Sequence, residues 1–426
     1  MKTAGQNRLR ALQEYGQSVW LDYIRRDLIT NGELARLIDE DGLRGMTSNP
    51  AIFEKAIVGS QDYQDILLAP EARQLDAKAL YEKLAIRDIQ DAADHLRQVY
   101  EQTACGDGYV SLEVSPLLAH DTEATLAEAR RLWAAVARPN LMIKVPATAE
   151  GIPAIRQLVG EGLNINVTLL FAQSAYEQVA AAYIAGLEQA AQRGIDLRRL
   201  ASVASFFVSR IDTAMDVELT ARIDASPNAA RQAELRNLLG KTAIANAKIT
   251  YQKYLGLFRG PRWQALADKG AHTQRVLWAS TSTKNPTYRD VVYVEELIGR
   301  DTVNTIPPST LDAFRDHGGV RASLTEDVDG AAATLQRIAE AGISLDRVTD
   351  GLLVDGVRLF AEPFTKLLDT VGKTPAPKAR ITAPRWEPTT PGSPRRASPT
   401  RTSRMATSSA HSATPTRSSG QGRHRS

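Results

Sequence analysis

Lys144 sits near the end of a short apolar run, Leu141-Met142-Ile143-Lys144-Val145-Pro146, that stops at a proline and two small residues, Ala147 and Thr148. Side chains alternate along a strand, so Ile143 and Val145 point one way and Met142 and Lys144 the other. An ammonium on a mostly buried strand is costly unless it is paired or gives up its proton. A lysine held in that way can attack a carbonyl. Taken alone, Lys144 reads more readily as a charge that protects an edge strand from aggregation. Its company changes that reading. Two carboxylates stand at the ends of other apolar runs, Asp22 after Ser18–Leu21 and Glu113 within Tyr109–Ser115. Attack of a neutral lysine on a ketone gives a carbinolamine and then an iminium, an electron sink that permits cleavage of a neighbouring C–C bond. Glu113 suits the proton movements of carbinolamine formation, and Asp22 suits removal of the hydroxyl proton at the breaking bond. Asn49 and Asn166 can hold substrate hydroxyls through paired donors and acceptors. Arg210 with Ser205 makes a reasonable phosphate clamp. A metal-dependent route lacks ligands, because the six histidines show neither metal-binding spacing nor clustering with the single cysteine.

These residues need elements to position them. Eight strands are expected, at Ser18–Asp22, Leu43–Asn49, Tyr109–Ser115, Leu141–Pro146, Leu163–Leu169, Ala201–Val208, Arg275–Ser280 and Thr302–Pro307. Helical periodicity fills the intervals. Thr30-Asn31-Gly32-Glu33 reads as a capping box and Gly42 as the stop of that helix. Asp76–Cys105, Asp121–Ala137 and Ala172–Arg193 repeat apolar residues at helical spacing. Met215–Leu257 reads as two helices broken near Ser226-Pro227. Leu311–Phe314, Leu324–Ala341 and Leu345–Val371 read as the last helices. Strand alternating with helix indicates a parallel sheet, and eight repeats indicate an α/β chain folded as a (β/α)₈ TIM barrel with extra helices. An open doubly wound sheet would carry a glycine-rich turn after its first strand, and none is present. In a barrel, Asp22, Asn49, Glu113, Lys144, Asn166, Thr168, Ser205, Arg210 and Lys284 all fall at or beyond the C-terminal ends of strands, where such folds place their chemistry.

With 426 residues, 43% apolar and 24% charged, the composition is that of a soluble globular protein with a large core. One cysteine, Cys105, cannot form an internal disulfide, which fits a reducing, cytoplasmic setting. No apolar run reaches the length of a membrane span, and the N-terminus lacks the apolar core of a signal peptide. The net charge of +3 hides a division: residues 374–426 hold ten Lys or Arg against one acidic residue, and the remainder 42 against 48. Residues 1–373 are therefore expected to form the barrel, and 374–426 a basic, disordered Ser/Thr/Pro/Arg-rich tail. The tail shows neither the aromatic interleaving nor the folded basic motif of a nucleic-acid binder, so nucleic acid is not an expected partner. An aberrant reading frame in a GC-rich gene would give the same bias.

These motifs together resemble the transaldolase family. The resemblance covers roughly residues 10–372 and rests on Thr47-Ser48-Asn49-Pro50, Glu113-Val114, Ile143-Lys144-Val145-Pro146, Asn166-Val167-Thr168-Leu169-Leu170-Phe171 and Ser205-Phe206-Phe207-Val208-Ser209-Arg210. Trp278-Ala279-Ser280-Thr281 and Asn304-Thr305-Ile306-Pro307-Pro308 resemble the actinobacterial and cyanobacterial branch. The resemblance implies a cofactor-free class I aldolase barrel that moves a dihydroxyacetone unit between sugar phosphates in the non-oxidative pentose phosphate pathway. It implies Lys144 as the Schiff-base lysine, Glu113 and Asp22 as the acid/base pair, and Thr168 as a residue placing the catalytic water. Asn49 and Asn166 would hold substrate hydroxyls, and Ser205 and Arg210 the phosphate. The family's second phosphate arginine has no counterpart, and Lys284 is the nearest cation. The sequence allows a homodimer without specifying one. Two other readings compete: an aldolase that releases free dihydroxyacetone, disfavoured by glutamate at position 113, and an inactive barrel that binds through its basic tail.

Overall fold

The computed structural model describes residues 7–58 and 60–373. The expected tail, and its boundary at 373/374, lie outside the described residues. Eight parallel strands close into a barrel in sequence order: β1 (Gln17–Asp22), β2 (Gly45–Thr47), β3 (Tyr109–Glu113), β4 (Leu141–Pro146), β5 (Ile165–Leu170), β6 (Ser202–Phe207), β7 (Arg275–Ala279) and β8 (Thr302–Ile306). β8 returns to β1 with Gln17 opposite Thr302 and Leu21 opposite Ile306. Both faces of most strands are buried, as expected for parallel strands packed inside and out. The register carries the candidate residues round the barrel as neighbours: Asp22 opposite Thr47, Glu113 opposite Lys144, and Lys144 opposite Asn166.

All eight expected strands form, with edges that differ by one to two residues in most. β2 is shorter than Leu43–Asn49 because Asn49 leaves the strand to cap the helix Pro50–Ile57, accepting a hydrogen bond from the Ile52 amide at 3.0 Å. The capping box at Thr30–Glu33 does not form. Thr30 ends a short helix, Arg26–Thr30, and donates back to the Arg26 carbonyl, while Glu33 pairs with Arg36 one turn on. Gly42 does close the Glu33–Asp41 helix, at φ 70°. Asp76–Cys105 divides at Leu96 into Ala77–His95 and Arg97–Gln102. Met215–Leu257 contains a second break that the pattern did not show, because Ser209–Ala225, Ala229–Arg236 and Thr242–Leu257 are separate helices.

The helix Leu345–Gly372 is continuous through Pro363 and lies against the C-terminal end of the barrel. Gly356 lets it approach β5 closely, since a Cβ there would lie 2.9 Å from Leu169 Cδ2. Four residues on, Phe360 packs against Phe207 of β6, and Phe364 meets Tyr81 edge-on at 5.5 Å. Leu169 itself has φ +61°, and the β5–β6 register shifts between Val167 and Leu170. A left-handed leucine at a strand end is strained backbone, which concentrates where side chains are aimed for function.

Candidate active site

Lys144 projects from β4 into the barrel and is 4% exposed. Its Nζ donates to the Ser48 carbonyl at 3.1 Å and lies 3.4 Å from Glu113 Oε2. The Ser48 hydroxyl donates to the Ser111 carbonyl at 2.7 Å, which fixes the turn that receives Lys144. Above the ammonium lies the Phe360 ring, with its centroid 5.5 Å away. Glu113 is in ion-pair contact with Lys144, but Oε2 has no well-aligned hydrogen bond. Burial pushes the Glu113 carboxyl up to about 7, against the opposing pull of Lys144. Asp22 ends β1 and accepts from Thr47 Oγ1 at 2.8 Å; that hydroxyl also meets Thr305 Oγ1 at 2.7 Å. Burial raises Asp22 above the ordinary carboxylate value, opposed by Lys144, the Thr47 hydrogen bond, Lys284 and Arg210.

Asn166 on β5 is fully buried and fixed from both sides. It donates to Ser111 Oγ at 2.9 Å and accepts from Ser205 Oγ at 2.6 Å. A single chain of hydrogen bonds thus joins β3, β5 and β6 beneath Lys144 and Glu113. The Ser205 proton is engaged by Asn166, and no contact joins Ser205 to Arg210 among the described residues. The clamp expected of that pair is not preassembled, and Ser205 belongs with the floor of the site. Thr168 is fully buried, and its Oγ1, like Glu113 Oε2, has no hydrogen-bond partner. Asn49 uses its carbonyl oxygen as a helix cap, which leaves the amide N–H₂ to donate.

Cations gather at the mouth. Arg210, in the first turn of the Ser209–Ala225 helix, packs its guanidinium 5.3 Å from the Phe207 ring centroid and 5.9 Å from that of Phe360. Its Nη1 is buried without a partner. Lys284 donates to Ser282 Oγ at 2.9 Å. Partial burial, Arg210 and Lys55 together lower the proton affinity of Lys284, while Asp22 opposes them. Asp22, Asn49, Lys144, Ser205, Arg210 and Lys284 all line one cavity of about 570 Å³; Glu113, Asn166 and Thr168 stand in the strands around it. Sequence reasoning missed Lys55, Phe360 and Leu359, which also line it. Lys55 carried a weak signal, six residues after Asn49 on the helix that Asn49 caps. Phe360 and Leu359 carried none, because only the path of a distant helix brings them here.

The arrangement is suited to covalent catalysis on a phosphorylated carbonyl compound. It offers a buried amine beside a carboxyl of raised pKa, a second carboxylate across the cavity, and cations at the entrance. Among the described residues, no three His, Cys, Asp or Glu side chains gather to hold a metal ion. No described helix is long and apolar enough to cross a membrane.

The chain is also similar to known proteins. Residues 19–371 match the sequence profile described as transaldolase/fructose-6-phosphate aldolase. The chain is similar to "Transaldolase 2" of Nostoc punctiforme, 48% identical over 368 residues that cover 86% of this chain and 97% of that protein. It is 48% identical over 366 residues to the transaldolase of Thiobacillus denitrificans, covering 86% of this chain and 100% of that one. The transaldolase of Acidothermus cellulolyticus is 48% identical over 367 residues, covering 86% and 96%.

Proposed function

The chain belongs to the transaldolase/fructose-6-phosphate aldolase family, and from that premise we propose that it is a transaldolase working through a Schiff base on Lys144. It takes a dihydroxyacetone unit from sedoheptulose 7-phosphate or fructose 6-phosphate and gives it to glyceraldehyde 3-phosphate or erythrose 4-phosphate. That reaction belongs to the cytoplasmic, non-oxidative pentose phosphate pathway. The observation that carries the reading is the buried Lys144–Glu113 pair facing Asp22 under a cationic mouth.

In this reading the donor ketone approaches Lys144, and one proton passes from the ammonium to Glu113. The raised pKa of Glu113 lowers the cost of that transfer relative to an ordinary carboxylate. The free amine adds to the ketone carbon, and Glu113 returns the proton to the carbinolamine hydroxyl, which leaves as water. Asp22 takes the proton of the hydroxyl on the far carbon of the breaking bond, which becomes the aldehyde carbon of the departing aldose. The C–C bonding electrons move into the iminium, and the shortened aldose departs. The enamine left on Lys144 attacks the second aldose, whose new alkoxide recovers the proton from Asp22. Water assisted by Glu113 and Thr168 then frees the product and the lysine. Asn49 and Asn166 hold the hydroxyls of the three-carbon unit. Arg210, Lys284 and Lys55 meet the phosphate. Burial of the lysine beneath Phe360 protects the enamine from water until the acceptor arrives.

Fructose 6-phosphate and erythrose 4-phosphate incubated with the protein give sedoheptulose 7-phosphate and glyceraldehyde 3-phosphate in equal amounts, read by mass spectrometry. Accumulation of free dihydroxyacetone in place of the heptulose would make the protein a releasing aldolase instead.

The pH dependence has a definite sign. Below about pH 7 Glu113 is protonated and cannot take the proton that Lys144 must give up before it attacks. Above about pH 7 Glu113 is a carboxylate, ready to accept that proton as the ketone is attacked. Donor kcat/KM therefore rises with pH up to about 7 and then levels, and ionisation of Asp22 acts in the same direction. Glu113→Gln shifts this limb to higher pH, since the ammonium loses the carboxylate that accepts its proton, and kcat falls by roughly 10²-fold. A limb unmoved in Glu113→Gln would remove Glu113 from the role.

A further inference from the structure

Lys284 and Arg210 are like charges at one cavity mouth, and Lys284 stands on a segment, 280–291, without regular secondary structure. Repulsion pushes a flexible lysine away from a half-buried guanidinium, so something has to keep the segment in place. The helix that carries Arg210 holds it at both ends. Next to Arg210, the Ser209 hydroxyl meets Ser280 Oγ at 2.9 Å, and the Ser209 amide donates to the Ser280 carbonyl at 3.1 Å. Further along the same helix, Asp216 Oδ2 accepts from the Tyr288 hydroxyl at 2.6 Å. The other oxygen of Asp216 accepts from the Gly240 amide at 3.0 Å. Gly240, at φ +67°, admits the Tyr288 ring so closely that a Cβ there would lie 2.6 Å from Tyr288 Cζ. Tyr288 is thus fixed at its hydroxyl by Asp216 and on its ring by Gly240. Its backbone amide donates to the Asn285 carbonyl at 3.1 Å, next to Lys284. Burial and Asp216 raise the Tyr288 phenol, which therefore remains a donor throughout the working pH range. A neighbouring link repeats the pattern: Asp212, one turn before Asp216, accepts from Tyr293 at 2.8 Å and from the Ala243 amide at 2.7 Å.

We propose that Tyr288 and Asp216 are positioning residues that clamp the segment carrying Lys284 to the helix carrying Arg210, setting the spacing of the two cations for the substrate phosphate. This rests on the sugar-phosphate reading above. Neither residue lines the catalytic cavity; both act through Lys284. The clamp holds the like-charged pair assembled before the phosphate arrives, so less ordering is left for the binding step.

The test compares fructose 6-phosphate with unphosphorylated fructose as donors, using Tyr288→Phe, Lys284→Met and the double variant. In a two-stage transfer, donor kcat/KM reports the donor half-reaction alone. Tyr288→Phe lowers kcat/KM for fructose 6-phosphate by roughly fivefold to tenfold through KM, a size typical of a misplaced contact. Its value for fructose stays unchanged. Lys284→Met costs more with the phosphorylated donor, and Tyr288→Phe adds nothing in that background. Asp216→Asn keeps an oxygen for the Gly240 amide and turns its other terminus into an N–H₂ from which the Tyr288 hydroxyl can accept. It gives a smaller loss with the same donor selectivity, an independent check should Tyr288→Phe fold poorly. Equal losses for both donors, or effects of Tyr288→Phe and Lys284→Met that multiply, overturn the clamp. A wild-type protein with no preference for the phosphorylated donor overturns the sugar-phosphate reading itself. A wild-type preference that survives intact in Tyr288→Phe overturns the clamp alone.

Discussion

Lys144→Met abolishes transfer, lowering kcat by roughly 10⁴-fold or more, as expected when a covalent nucleophile that acts as part of a unit is removed. The argument rests on where Lys144 lies as well as on what it is. At 4% exposure, beneath Phe360 and against Ser48 and Glu113, it is the amine placed to reach a carbonyl at the bottom of the cavity. Lys284 and Lys55 are at the mouth and cannot take its place. Methionine has nearly the same length and fills the site. It leaves Glu113 facing no cation, but that carboxyl already titrates near 7 because of burial, and without the Lys144 charge it rises further. At pH 6 it is neutral in the variant, so no uncompensated charge is buried and the protein melts close to wild type. A loss of activity with the melting temperature kept is chemical rather than structural. Borohydride added with fructose 6-phosphate fixes a reduced three-carbon adduct to Lys144 of the wild type, located by peptide mass mapping, and none to Lys144→Met. An adduct on another lysine would overturn the assignment of β4 as the reacting strand. No adduct on folded wild type would overturn the Schiff base itself.

The parts of the site that were legible in the sequence are those fixed by strand alternation. Lys144, Glu113, Asn166 and Thr168 lie on the inward faces of short apolar runs, and a period of two residues leaves little choice of face once one neighbour is placed. The barrel was legible for the same reason, since eight apolar runs interleaved with helices admit few topologies. What could not be read depends on contacts distant in sequence or on backbone choices with no local mark. The Phe360 lid comes from a helix more than 200 residues after Lys144. The left-handed Leu169 carries no glycine or asparagine to announce it. Thr30–Glu33 has the sequence of a capping box, yet Thr30 is taken by the preceding short helix and Glu33 by Arg36. By their chemistry and by the resemblance, Ser205 and Arg210 read as a phosphate clamp, yet the two line one cavity without touching. The strand end turns Arg210 up to the mouth and leaves Ser205 on the floor with Asn166.

Asp22→Asn separates the formation of the Schiff base from the cleavage that follows it. The substitution keeps the geometry: Thr47 Oγ1, which donates to Asp22 Oδ1 at 2.8 Å, finds the same kind of acceptor in the amide oxygen. What is removed is the charge and the capacity to take a proton. Lys144 and Glu113, in contact at 3.4 Å, retain what they need for addition and dehydration. The ketose therefore still becomes an iminium, but its hydroxyl proton has no base, and kcat falls by roughly 10³-fold, within the range for a positioned general base. KM for fructose 6-phosphate changes little, because Asn49, Arg210 and Lys284 still line the cavity. The trapped species reports the step directly. Borohydride on the wild type yields mainly the three-carbon adduct left after cleavage, whereas Asp22→Asn accumulates the uncleaved six-carbon sugar phosphate on Lys144. The variant also lacks whatever part of the acidic limb belongs to Asp22, whose raised pKa requires ionisation before it can act as a base. Loss of both turnover and adduct in a folded Asp22→Asn would place Asp22 earlier, in readying Lys144 for attack, and would leave the cleavage step without an assigned base.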